Sequence, residues 1–543
     1  MHRLPAGFPM VSPGHRGTAG QPGCGHRLPG RGSVKKIICI FLLLALLLAG
    51  CSQGKTDYTP TGGGLYQGET TLPASPPISA DQKLSLVYYP EETLNPYLCA
   101  DYTNRTLFSL LYQSLYALNP EGEAQSMLCS GYQLSWDKKT HVFSVEKATF
   151  ADGTTLTAAD VALSLEAARK GRVYSGRFTY IDQISVTADG ERVQITTTIP
   201  YENLPLLLDV PIVKGSQTGV SMPMGTGPYR LEQNSSGCWL RLRLDWWCRA
   251  ELPLTAAKIP LIAAQSARNI RDEFELGQVG VVCANPGSDN YADFRCDSDL
   301  WDCENGIFLY LGCRSRSTVF SGEAVRSALI SAIDRQTLCR DIYRSFAQPA
   351  VLPASPDFAY YDEALASQYP FNPDLLRQAL EAENLLGQEV RLLVNRDDGR
   401  RVRAAQAIAK MLEECGLKVT LRQLSGDSYT KALSQGSYDL HLGQTVLSPN
   451  MDLSAFYKED GALSYGGMSD TGIYALCQQA LSSSANYKAL HQAVLDDAVL
   501  CPVAFLQYAV YGQRGLVDGL TPARDFVFYY SLGKTVKPTL LET

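Results

Sequence analysis

Histidine is scarce in this chain: there are six in 543 residues, and only His141, His441 and His491 lie beyond residue 51. Imidazoles so far apart in sequence do not suggest a zinc or nickel cage. A metal carried by a chelator would need fewer of them, so a nickel chelate stays a secondary reading. His141 and His441 fall in predicted strands and read as structural. The 15 cysteines include no C-x-x-C pair, which argues against a zinc ribbon or a thioredoxin-like centre. H-E-x-x-H and G-x-S-x-G are missing too, and with them the metalloprotease and α/β-hydrolase signatures. Gly533-Lys534-Thr535 has Phe528 where a P-loop has its first glycine. Ser144-Val145-Glu146-Lys147 with Ser288-Asp289-Asn290 resembles two of the three penicillin-binding motifs, the third candidate being Lys534-Thr535-Val536. Ser144 sits in an alternating, strand-like stretch, whereas that chemistry needs Ser and Lys aligned at a helix start. The chain is expected not to be an enzyme, and no catalytic residue, metal or cofactor is assigned.

Basic charge is also in deficit. Six of the 48 basic residues and none of the 55 acidic ones lie in the first 50 positions, so the chain from Cys51 carries 42 against 55, net −13. Such a surface suits neither nucleic acid nor anionic lipid. There is one long apolar run, residues 37–49, preceded by Lys35 and Lys36 and ending in Leu48-Ala49-Gly50-Cys51. A positive region, a short apolar stretch and small residues before the cut describe an export signal, too short for a comfortable permanent span. The cysteine after the small pair resembles the lipobox of bacterial lipoproteins, so Cys51 is the expected site of lipidation and the first mature residue. Residues 1–33, rich in Gly, Pro and Arg, make no sensible charged region, and translation is expected to begin near Val34. Twelve dispersed cysteines follow Cys51, and their spacing leaves disulfides and buried free thiols equally open.

After the anchor, residues 52–80 form a Gly/Pro/Ser/Thr-rich tether. A strand is expected at residues 84–89 and a helix within 103–118, from Leu107, Leu110, Leu111 and Leu115. Strands follow at 141–147, 193–199 and 239–244, with an Asp152-Gly153 turn and a helix opened by Thr157 and Asp160. The clearest unit is a strand at 389–394, a helix at 400–415 stopped by Gly416, and a strand at 417–424. It reads as a β-α-β crossover, which pairs parallel strands. A further helix from Ser428 and a strand at 438–442 complete an α/β pattern.

Four segments in order carry a resemblance: Thr93-Leu94-Asn95-Pro96 after the first strand; residues 143–169, with their strand, Asp-Gly turn and helix; Gly225-Thr226-Gly227-Pro228-Tyr229-Arg230; and residues 325–343. Across residues 82–530 the chain resembles the extracellular solute-binding proteins of family 5, the peptide- and nickel-binding lipoproteins of ABC importers. That resemblance implies a two-lobed periplasmic-binding-protein-like fold of type II with an enlarged first lobe. It also implies hinge closure on a solute in the cleft between the lobes. The lobes are expected at 82–312 and 313–499, with 500–543 returning to the first. The implied partners are a peptide or peptide-like solute, the permease and ATPase subunits of an importer, and the membrane through the lipid; a peptide-sensing receptor lipoprotein of the same fold is the alternative, which the sequence does not separate from a transporter. A monomer is expected.

A peptide cleft must satisfy the ligand's main-chain groups and can use Tyr for loose side-chain pockets, and Tyr is abundant at 29 residues. By position in the family pattern, Tyr88 and Tyr89 fall where the cleft wall begins, Asn95 in the first turn, and Tyr310 by the expected crossover. Arg314 or Arg316 is the expected partner of a ligand carboxylate. In residues 439–457, relatives that grip a peptide amine carry a Trp and an Asp where this chain has Gln444 and Leu447, with Thr445 between. The natural counter-charge for an ammonium is thus lost from its usual place, and Asp452 is the substitute a shifted loop would supply.

Overall fold

The computed structural model of the chain describes residues 84–541 apart from 253, 255, 288–293, 518, 525 and 531. The export signal, Cys51 and the tether lie outside these residues. Local sequence rules account for many of the elements. Thr157 and Asp160 close a reciprocal capping box, with Asp160 Oδ2 accepting the Thr157 N–H at 3.0 Å, and the helix Ala158–Lys170 follows. The expected β-α-β unit is present: Glu389–Asn395, the helix Gly399–Glu414 and Lys418–Leu424, the two strands parallel and in register from Glu389↔Lys418 to Asn395↔Leu424. The expected helix across 103–118 is instead two single turns, Tyr102–Arg105 and Phe108–Leu111, followed by a strand at Tyr116–Leu118. Its leucines are buried as the periodicity required. The helix stops because Tyr112 turns extended and the Leu111 carbonyl accepts the Gly227 N–H at 3.0 Å.

An eleven-stranded sheet runs through the described chain. In sequence order its strands are β1 (Leu86–Tyr88), β2 (Tyr229–Asn234), β3 (Gly237–Leu242), β4 (Lys258–Ala263), β5 (Val281–Ala284), β6 (Ser298–Cys313), β7 (Ala347–Pro349), β8 (Glu389–Asn395), β9 (Lys418–Leu424), β10 (Leu440–Val446) and β11 (Leu500–Gln513). Their spatial order is β9-β8-β10-β6-β11-β5-β1-β4-β3-β2, with β7 pairing β11 off this path. A separate five-stranded sheet packs its buried face, Phe143, Val193 and Ile195, into the first core.

The sheet serves two main hydrophobic cores. The first gathers residues from Leu84 to Cys303, Leu481, and Val510 to Leu532; the second gathers Ile307 to Leu506 and takes in Leu118 and Leu206. The long antiparallel strands β6 and β11 cross between them. On β6 the change falls between Cys303 and Ile307, and on β11 between Leu506 and Val510. The crossing on β6 therefore comes before position 312, because the strand continues to Cys313 with its last seven residues sealed in the second core. At the crossing the β6–β11 register breaks between Glu304 and Phe308, a bulge that bends the ladder.

The Gly225–Arg230 segment is built into the first core by close approach. A Cβ on Gly227 would lie 2.4 Å from the Leu111 carbonyl carbon. Arg243, fully buried as a side chain, donates to the carbonyls of Gly227, Thr149 and Phe150 at 2.9–3.2 Å. Arg326 and Arg335 are buried in the same manner in the second core, donating to the carbonyls of Phe320, Asp497, Ala350 and Pro502. The twelve cysteines after Cys51 are all free thiols, ten of them buried, where they pack as small apolar groups.

Candidate functional site

A cavity of about 650 Å³ opens where the crossing strands meet the loops of both cores. That lies within the roughly 300–1,000 Å³ of small-molecule sites. One wall is nearly continuous in sequence. It runs from Thr445 at the end of β10 through Leu447, Ser448, Asp452 and Phe456 to Leu463. The other is assembled from distant segments: Tyr102 and Arg105, Arg177 and Tyr180, Asn305 and Ile307 at the β6 bulge, Tyr508 and Arg524.

The continuous wall carries Asp452, Lys458 and Asp460, and Asp452 is the one fixed by its neighbours. Its Oδ1 accepts the Ser454 N–H at 2.9 Å and the Ser454 hydroxyl at 2.6 Å. Burial pushes its carboxyl above the ordinary value, and the two Ser454 bonds only partly offset this. Among the described residues no Lys or Arg pairs with it. The tyrosines around it are neutral: burial first, and the Asp452 charge second, push the Tyr180 and Tyr201 phenols well above 10. Tyr180 donates to the Tyr474 hydroxyl at 3.4 Å, and Asn450 donates to Tyr201 at 2.8 Å. These bonds join a segment of the first region to one of the second beside the cavity.

The segments from distant parts of the chain bring three arginines to the lining. The Arg177 guanidinium pairs with buried Asp209 and stacks over Tyr174 at 4.9 Å, and Arg105 lies 5.8 Å from the same ring. Arg524 is 6% exposed as a side chain, lies 3.7 Å from Glu304 and donates to the Leu447 carbonyl.

Of the ten ligand candidates read from sequence, Thr445, Leu447 and Asp452 are brought together on this cavity. Gln444 is one register step behind, opposite Leu309, with a buried Oε1 that has no partner. Tyr88 ends β1 and Tyr89 follows it, and neither is in the cavity lining; the Tyr89 N–H donates to Asn104 Oδ1 at 2.7 Å. Asn95 is fully buried and acts as a local clip, donating to the Thr218 and Val220 carbonyls at 2.8 Å each. Tyr310 is sealed in the second core, edge-on to Phe456 at 5.1 Å and to His441 at 5.7 Å. Arg314 and Arg316 lie past the end of β6, away from the cavity lining. The Arg314 N–H donates to the Asp439 carbonyl, and Arg316 is exposed on a turn. They were placed by the expected crossover near position 312, whereas the change of core on β6 falls between Cys303 and Ile307. The tyrosines at the wall are Tyr102, Tyr180 and Tyr508. Nothing in their sequence surroundings marks them, or Arg177 and Arg524, because the topology alone brings them to one place.

The described residues hold no group of three or more His, Cys, Asp or Glu placed to bind a metal, and no described helix is long and apolar enough to cross a membrane.

The family model for bacterial extracellular solute-binding proteins, family 5 Middle, matches residues 123–462. The chain belongs to that family. The glutathione-binding protein GsiB of Salmonella choleraesuis is 24% identical over 381 residues, covering 65% of this chain and 71% of that protein. The nickel-binding protein NikA of Staphylococcus aureus is 24% identical over 410 residues, covering 71% and 79%. Among solved structures, the ABC transporter substrate-binding protein CtaP of Listeria monocytogenes superposes with a TM-score of 0.68 at 17% identity, covering 83% of this chain and 98% of that one. NikA of Brucella suis in complex with Fe(III)-EDTA gives 0.63 at 18%, covering 84% and 100%. The oligopeptide-binding protein AppA of Bacillus subtilis, in complex with a nonapeptide, gives 0.55 at 15%, covering 81% and 95%. The fold is therefore the two-lobed α/β architecture of periplasmic binding proteins.

Proposed function

We propose that the chain is an extracytoplasmic solute receptor, held to the membrane by lipid on Cys51, that captures a peptide or peptide-like solute in the cavity between its two cores. It delivers that solute to the permease of an ABC importer and performs no catalysis itself. Lobe 1 is the region before the β6 crossing together with the chain after the β11 crossing, and lobe 2 is the region between. A ligand touching both walls favours their closure by its differential affinity for the closed state.

Asp452 carries this reading. A cavity-wall carboxyl with no ion-pair partner among the described residues, held by Ser454, is a ready counter-charge for an ammonium, and it would take the place that Leu447 leaves empty. The three arginines opposite suit the other end of a zwitterion. Family membership and the relatives named for glutathione, and crystallised with a nonapeptide, support a peptide-like solute. NikA keeps a metal chelate as the second reading.

Native mass spectrometry of the detergent-solubilised full chain after exposure to a casein hydrolysate should catch retained peptides. Asp452→Asn should weaken them by about 30-fold or more, the scale of removing one partner of a buried charge pair. Unchanged affinity in Asp452→Asn would remove the amine-binding role. Retention of a nickel chelate in place of peptides would favour the second reading.

A further inference from the structure

The β6 bulge and the C-terminal segment make a junction at the floor of the cavity. Gly306 sits in the bulge with φ +72°, a conformation that favours glycine. Its N–H is taken by Glu304 Oε1 at 2.7 Å, and its carbonyl accepts the Leu447 N–H at 2.9 Å. The Arg524 guanidinium lies flat over it: a Cβ at position 306 would stand 2.2 Å from Nη2. Arg524 follows Ala523, a member of the first core, yet its Nη2 donates to the carbonyl of Leu447, a member of the second. One guanidinium thus spans the two cores at the point where β6 passes between them.

Its charge is poorly matched. Glu304 is its carboxylate among the described residues, at 3.7 Å, and that side chain also serves the Gly306 N–H. Among the described residues the buried Arg524 Nε–H has no hydrogen-bond partner. A largely buried cation with a distant counter-ion gains much from a second anion, and Arg524 is part of the cavity lining.

We propose that Arg524 is the specificity residue for a ligand carboxylate and the tie through which that carboxylate stabilises the closed arrangement, its Nη groups holding Leu447 and Glu304 while the bound anion completes its neutralisation. This rests on the cavity being the solute site. It narrows the solute to one with a carboxylate that reaches the floor while its ammonium meets Asp452.

The test uses the detergent-solubilised full chain and two forms of casein hydrolysate, untreated and with carboxylates converted to carboxamides, read by native mass spectrometry in competition. The wild type should prefer the untreated peptides by about tenfold or more, and Arg524→Gln should abolish that preference. Glu304→Gln removes the competing anion and should widen the preference for carboxylate over amidated forms several-fold, a gain that a damaged fold would not produce. Arg524→Lys should keep part of the preference. Indifference of the wild type to amidation, an unaltered preference in Arg524→Gln, or no gain in Glu304→Gln would overturn the proposal. In the first two cases, loss of binding to N-acetylated hydrolysate would show that the solute reading itself survives. Retention of no peptide by any form would overturn both.

Discussion

The two walls of the cavity are built in opposite ways. One is a single run of chain, from Thr445 to Leu463, laid over an aromatic core in which Phe308 stacks on Phe505 at 5.0 Å and Phe456 stands edge-on to Tyr310. The other is a mosaic, with Arg105, Arg177, Asn305 and Arg524 delivered from four parts of the sequence and fixed by ion pairs, ring stacking and carbonyl contacts. The first wall inherits its shape from apolar packing, which tolerates little change in volume. The second inherits it from polar partners, each of which fixes one side chain. The packed wall carries Asp452, Lys458 and Asp460, and the mosaic wall carries three arginines.

Three measurements would sharpen or break that contrast. The largest effect is expected at the base of the packed wall. Phe308→Ala, at a fully buried position, should cost ~3–5 kcal/mol in denaturant unfolding. A loss of less than about 1 kcal/mol would mean that the aromatic core does not support this wall.

An intermediate effect concerns acid. Burial lowers His441 to about 3 and His141 and His491 to about 4, from an ordinary 6.5. Below about pH 6.5 the unfolded chain binds protons that the native state refuses, so stability is complete above that pH and falls as pH drops toward the folded values. Each histidine should cost the fold ~1 kcal/mol by about pH 5.5. His441→Leu should flatten the profile of melting temperature against pH, and an unaltered slope would refute the assignment. The smallest effect belongs to Arg314→Ala combined with Arg316→Ala. Both lie outside the cavity lining, and solute affinity should stay within about twofold of the wild type, within the ordinary range of surface changes. A larger loss would bring the far end of β6 back into the site.

Much of the scaffold was legible because its signals are local. The Thr157–Asp160 capping box, the parallel unit spanning Glu389 to Leu424 and the stop before Gly416 depend on residues a few positions apart. The continuous wall was legible for a related reason: it follows one strand, so a sequence pattern could nominate Thr445, Leu447 and Asp452 together. Tyr310 and Arg314 lie off the cavity lining, and their assignment depended on where β6 changes core. That change falls at a bulge where Gly306 packs against Arg524 from the far end of the chain. The helix expected across 103–118 failed through the same kind of competition, since the Leu111 carbonyl is claimed by Gly227.

The sequence by itself determined the class of this protein: an α/β chain with a family 5 pattern and an acidic body, its export and lipidation signal still an expectation. Hydrophobic periodicity, caps and turns are short-range, and they survive in a linear reading. Only the tertiary structure decided which tyrosines and arginines share a cavity, that Asn95 is a clip, and that the crossing precedes Cys313. Those outcomes depend on which distant carbonyls and charges meet when two cores close around one pair of strands, and no spacing in the chain records that.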